Sequence, residues 1–110
     1  MVHSTPTVTD NILYVGSDDG KVYALDSATG SKVWDFQTDG LVWGTPTVSE
    51  GVVYFGSEDS NVYALDGQSG EEVWRYKTGG WVTTTLTVDA ADSIVYAAAE
   101  DGKLYALQYK

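Results

Sequence analysis

Asp18 and Asp19, closed by Gly20, and Asp101, closed by Gly102, are the residues whose type and spacing come nearest to a recognisable chemistry, that of a calcium loop. An EF-hand loop needs oxygen ligands at alternating positions over about twelve residues and a bidentate glutamate to close it. Neither acidic run has that spacing, so both are read as hairpin turns in which carboxylates precede a residue tolerant of positive φ. His3 is the sole histidine; it has no ligand partner, and no Ser/His/Asp nucleophile can be assembled around it. There is no cysteine, which excludes disulfides and thiolate chemistry and leaves the redox compartment undetermined. The reading is of a chain without catalytic, cofactor-binding or metal-binding residues of its own.

The elements that carry these residues are repeats. Tyr14–Trp34 recurs forty residues on as Tyr54–Trp74, and a shortened third copy runs from Tyr96 to Leu107. Nine of thirteen positions are identical between Tyr14–Asp26 and Tyr54–Asp66, too many for shared β composition to explain, so a repeat architecture is expected. The repeats are 1–40, 41–80 and 81–110, the last short of its outer strand. Trp43 and Trp81 are thirty-eight residues apart and so occupy different repeat positions. The favoured reading is packing at a blade edge, where large aromatics usually lose most of their exposure. The alternative is that either stands exposed as an aromatic anchor for a partner.

Each repeat reads as four short strands. The tetrads Thr5–Val8, Thr45–Val48 and Thr85–Val88 open the repeats, with proline near the strand start, where a missing N–H costs little. Ile12–Gly16, Val52–Gly56 and Ile94–Ala98 are apolar enough for strands covered on both faces. Acidic turns follow, in which Gly20 and Gly102, and Asn61 in the second copy, suit positive φ. Third strands lie at 22–25, 62–65 and 104–107. The turns Asp26–Gly30 and Asp66–Gly70 begin with an aspartate able to accept backbone N–H groups and end with a glycine suited to left-handed backbone. Fourth strands alternate Trp34 and Phe36 against Asp35 and Gln37, and Trp74 and Tyr76 against Arg75 and Lys77. Tyr14, Tyr23, Tyr54, Tyr63, Tyr96 and Tyr105 repeat with the strands and are assigned to the core. An all-β chain of four-stranded antiparallel meanders repeated radially is a β-propeller, here about 2.75 blades of one.

The pattern Ala24-x-Asp26-x-x-Thr29-Gly30-x-x-x-Trp34, repeated as Ala64-x-Asp66-x-x-Ser69-Gly70-x-x-x-Trp74, resembles the tryptophan-docking motif of PQQ-type propeller repeats, found in quinoprotein alcohol dehydrogenases and BamB-like assembly lipoproteins. The resemblance spans essentially the whole chain. It implies that Trp34 and Trp74 pack between blades and that Asp26, Asp66 and Thr29 bind their turns. Ser31 and Glu71 depart from the lysine often found after the glycine, with little bearing on the fold. Trp34-Asp35 also spells the WD dipeptide, but Arg75 follows Trp74 and no Gly-His pair precedes either copy, so the WD40 reading is set aside. In the dehydrogenases that the repeat resembles, the quinone lies over a complete ring with calcium, a catalytic aspartate and usually a vicinal disulfide. Fewer than three blades and no cysteine make PQQ and calcium improbable for this chain alone.

Sixteen Asp and Glu against six Lys and Arg give a formal net charge of -10. Such a surface repels nucleic-acid phosphate and anionic lipid, so neither is an expected partner. No leader-like or membrane-length segment occurs, which predicts a soluble chain; the relatives it resembles are often extracytoplasmic, and an export signal would lie outside these residues. Propellers close with about four to eight blades, so the arc should be completed either by a second copy, giving a six-blade ring, or by the remainder of a longer propeller. The leading functional expectation is a non-catalytic scaffold or protein-interaction platform. The alternatives are a fragment of a PQQ-dependent dehydrogenase and a sensing propeller whose channel, lined by Thr5, Thr7, Thr45, Thr47, Thr85 and Thr87, binds a small polar solute.

Overall fold

A computed structural model describes residues 6–83 and 85–109. His3 and Thr5 lie outside them. Among the described residues there are eleven strands, β1 (Thr7–Thr9), β2 (Ile12–Gly16), β3 (Lys21–Asp26), β4 (Lys32–Gln37), β5 (Thr47–Ser49), β6 (Val52–Gly56), β7 (Asn61–Asp66), β8 (Glu72–Lys77), β9 (Thr87–Asp89), β10 (Ile94–Ala98) and β11 (Leu104–Gln108). They form antiparallel meanders in the orders β1-β2-β3-β4, β5-β6-β7-β8 and β9-β10-β11, which are blades of a propeller whose ring is not closed.

The first strands start two residues later than the tetrads suggested and leave both prolines outside. The reason lies in the use made of the preceding segment: the Pro46 and Leu86 carbonyls accept the Thr7 and Thr47 hydroxyls of the preceding blade at 2.7 and 2.8 Å. The next turns are two-residue connections with both φ values positive, 53° and 66° at Asp10 and Asn11 and 51° and 78° at Glu50 and Gly51. This is the hairpin geometry whose twist matches the strands. In the second acidic turn Ser60, at 74°, takes the left-handed place held by Gly20 in the first, while Asn61 opens β7. Asn61 thus lies one residue beyond the left-handed position expected of it.

Between β3 and β4 the pairing Ala24↔Trp34 is followed by Leu25↔Lys32, so Val33 is bulged out; Ala64↔Trp74 and Leu65↔Glu72 bulge Val73 in the same way. A bulge bends and re-aims its strand, and here it turns each tryptophan towards the next blade. Two cores result, both between blades. Tyr14, Val22, Ala24 and Trp34 meet Val53, Phe55, Tyr63 and Leu65, whereas Tyr54, Val62 and Ala64 meet Val82, Leu86, Val95 and Ala97. Tyr14, Tyr54 and Tyr63 are buried as expected; Tyr23, Tyr96 and Tyr105 are only half-buried. The dry face foreseen for the fourth strands holds in β4 but not in β8, where Tyr76 is 46% exposed, its ring against that of Tyr105.

Candidate functional site

The joint between the first two blades is built from the tight turns upward. Asp26 Oδ1 accepts the N–H groups of Ala28 and Thr29 at 2.8 and 3.1 Å, and Thr29 Oγ1 accepts that of Ser31 at 3.2 Å. Asp66 and Ser69 repeat this pattern with Gln68, Ser69 and Glu71. The N–H bonds from Ser69 and Gln68 hold the Asp66 carboxyl below its ordinary value. A turn fixed in this way presents the Gly67 carbonyl and the Gly70 backbone to the preceding blade. Trp34, 7% exposed, lies against them: its indole N–H donates to Gly67 O at 3.0 Å, Tyr14 Oη donates to the same oxygen at 2.8 Å, and the two rings meet at 5.9 Å between centroids.

Trp74 occupies the corresponding place in the second blade and packs on Tyr54 at 6.0 Å, but it is only half-buried. Tyr109 stands where Gly67 does, and among the described residues nothing matches Gly70. Clefts of about 480 and 330 Å³ flank the half-buried indole, lined by Trp74 and Tyr109 together with Tyr76 and Leu107 on one side and Val73 on the other.

Trp43 and Trp81 are 36% and 53% exposed, and Trp43 donates its indole N–H to the Glu58 carboxylate. The Trp81 carbonyl accepts Glu100 N–H as the Leu41 carbonyl accepts Glu58 N–H, so Trp81 corresponds to Leu41 and not to Trp43. Of the six threonines placed along the channel, Thr7 and Thr47 direct their hydroxyls into the next blade, and Thr85 Oγ1 accepts Thr45 N–H at 3.0 Å.

A feature missed in the sequence is an aspartate–tyrosine pair in every blade. Tyr23 donates to Asp19 at 2.5 Å, Tyr105 to Asp101 at 2.6 Å, and Tyr63 to Asp59. Its signal was the spacing Asp-x-x-x-Tyr in all three repeats. The hydroxyl bonds hold Asp19 and Asp101 below their ordinary value and raise Tyr23 and Tyr105. Burial comes first for Tyr14 and Tyr63, also raised, and for Tyr54, pushed up to about 12. Depressed carboxylates stabilise the fold above their unfolded pKa and cease to do so as pH falls through the folded one; raised tyrosines stabilise it below an unfolded value of 10.0 and lose that contribution as pH climbs past it. With salt added to screen the net charge, urea midpoints should be highest between about pH 5 and 9 and decline on both sides. A midpoint that keeps rising from pH 9 to 11 would contradict this account of the tyrosines.

Among the described residues no three His, Cys, Asp or Glu side chains are grouped to hold a metal ion. Nor is any helix long and apolar enough to cross a membrane.

A family model described as outer membrane protein assembly factor BamB matches residues 2–110. Solved structures with the same fold include BamB from Moraxella catarrhalis (TM-score 0.81, 26% identity, 97% of this chain and 35% of that one). A second is quinohemoprotein alcohol dehydrogenase ADHIIG from Pseudomonas putida HK5 (0.80, 22%, 86% and 20%). A third is the computationally designed Ika4 protein (0.83, 22%, 96% and 64%). The chain thus spans less than two thirds of each of these proteins. No curated protein sequence matches it.

Proposed function

The chain belongs to the BamB-like family of PQQ-type propeller repeats, and from that premise we propose that it is a non-catalytic module whose blades serve as a scaffold and protein-interaction platform. The supporting observation is where the repeated polar groups are engaged. Asp26, Asp66, Thr29 and Ser69 bind their own turns, Thr7 and Thr47 clasp the next blade, and Asp19, Asp59 and Asp101 hold tyrosines. Side chains engaged in this way serve the turns, the blade joints and the tyrosines.

Trp34 and Trp74 act in this reading as the docking side chains between blades, and exposed Trp43 and Trp81 are the candidate contacts for a protein partner. The forward face of the third blade and the rear face of the first are those that further blades would cover, and a second copy placed head to tail would give a six-blade ring. Light scattering should then return twice the 11.9 kDa of one chain. A compact monomer at high concentration would rule the ring out. Dye-linked alcohol or sugar oxidation appearing on addition of PQQ and calcium would instead favour the dehydrogenase reading.

A further inference from the structure

Four aspartates of this chain precede a glycine: Asp19, Asp39, Asp66 and Asp101. In such a pair the carboxyl group and the following main-chain nitrogen can close on one another, because glycine has no side chain to shield its nitrogen. Three of the four pairs are held against that reaction at both reacting groups. The N–H groups of Gly20, Gly67 and Gly102 donate to the carbonyls of Ser17, Gly51 and Ala99 at 3.2, 2.9 and 3.1 Å. The carboxylates before them accept main-chain N–H groups, Asp19 from Lys21, Asp101 from Lys103, and Asp66 from Gln68 and Ser69. Asp19 and Asp101 accept a tyrosine hydroxyl as well.

Asp39 differs on each count. It is exposed, its carboxylate makes no hydrogen bond or ion pair with another described residue, and Gly40 N–H is held by a long bond of 3.3 Å to the Thr38 hydroxyl. The pair lies at the joint between the first two blades, where Asp39 N–H donates to Asp59 Oδ2 at 3.2 Å and a Cβ on Gly40 would stand 2.5 Å from Asp59 N. The matching pair at the second joint is Gly79–Gly80, which has no carboxyl group.

We propose that Asp39–Gly40 is a site of isoaspartate formation, and that the modification unlocks the joint between the first two blades while sparing the second. Gly40 N attacks Cγ of the protonated Asp39 carboxyl; the new C–N bond closes a succinimide, and the carboxyl hydroxyl leaves with the amide proton as water. Water then adds to either ring carbonyl. Opening at Cγ restores aspartate, whereas opening at the main-chain carbonyl routes the backbone through the side chain and leaves a free α-carboxylate. That isomer has one more main-chain methylene between the Asp39 N–H and Gly40. The bond to Asp59 and the close approach of Gly40 to Asp59 N cannot then both be kept, since packed backbone has no slack to absorb the insertion.

The intact chain is aged at neutral pH and physiological temperature, then mapped by mass spectrometry with an endoprotease that cuts before aspartate and is blind to isoaspartate. Isoaspartate should accumulate at position 39 at least about tenfold faster than at 19, 66 or 101, where reaction must await local opening. In urea most of that spread should vanish. Asp39→Glu keeps the charge, closes the strained six-membered ring poorly, and should abolish the modification at this position. In the aged chain the Glu58 N–H, bonded to Leu41 O at 2.9 Å, should exchange faster, while the Glu100 N–H, bonded to Trp81 O at 2.8 Å, should not. Equal accumulation at all four aspartates of the folded chain, or earlier accumulation at another of them, would overturn the assignment of the site. Unchanged Glu58 exchange in chains carrying isoaspartate at 39 would overturn the unlocking.

Discussion

Trp34→Ala should destabilise the chain by about 3 to 5 kcal/mol, measured as a fall in urea midpoint at unchanged slope. The indole is almost wholly enclosed between Tyr14 and the Gly67–Gly70 turn, so its removal leaves a cavity that rigid turn backbone cannot collapse into. Little of the loss is polar, because Gly67 O keeps the Tyr14 hydroxyl after the indole N–H has gone. Trp74→Ala provides the control. Its ring is half-open, packed on Tyr54 and the second core cluster, so the loss follows from partial burial and should be about 1 to 2 kcal/mol. Equal losses at the two positions would show that the packing difference between them is not real in solution.

Gly70→Ala should cost about as much as a core truncation, and Gly30→Ala far less. Both glycines are left-handed, with φ of 76° and 78°, and an alanine at either incurs a backbone penalty of about 1 to 2 kcal/mol. They differ in what lies over them. A Cβ at Gly30 meets nothing within 4 Å, whereas one at Gly70 meets Trp34 Cδ2 at 2.7 Å and two further ring atoms below 3.0 Å. The ring is fixed by its bond to Gly67 O, so relief requires the joint between blades to open, adding about 1 to 3 kcal/mol. The difference between the two variants measures the joint alone, since the backbone penalty is common to both. In the Trp34→Ala background the two glycine variants should become alike.

Much of this could be read from the sequence because a period of forty residues forces equivalent positions into equivalent environments. Four strands per repeat, the Asp–Gly turns and the placement of Tyr14, Tyr54, Trp34 and Trp74 all follow from matching one copy to the next. What escaped were features that depend on the neighbouring blade. Val33 and Val73 look like strand residues and are bulges, because the tryptophan beside each is drawn forward into the next sheet. Thr45 and Pro46 look like the start of a strand, yet the Pro46 carbonyl serves a hydroxyl on the preceding blade. The aspartate–tyrosine pairs hid within turns already explained by glycine. Trp34 and Trp74 are indistinguishable as letters, and among the described residues only Trp34 has a following turn over it. The exposure of Trp43 and Trp81 was one of two readings that the sequence leaves open, since large aromatics are ordinarily enclosed.

Because each apolar cluster straddles two sheets and neither belongs to one sheet alone, the middle blade contributes to both while the outer blades contribute to one each. Stability in such an array is a sum over neighbours, so the last segments to open should be those with a neighbour on each side. Amide protons of β6 and β7 should therefore outlast all others in deuterated solvent, and the two flanking sheets should peel away singly and not together. A chain built in this way has a spine rather than a centre.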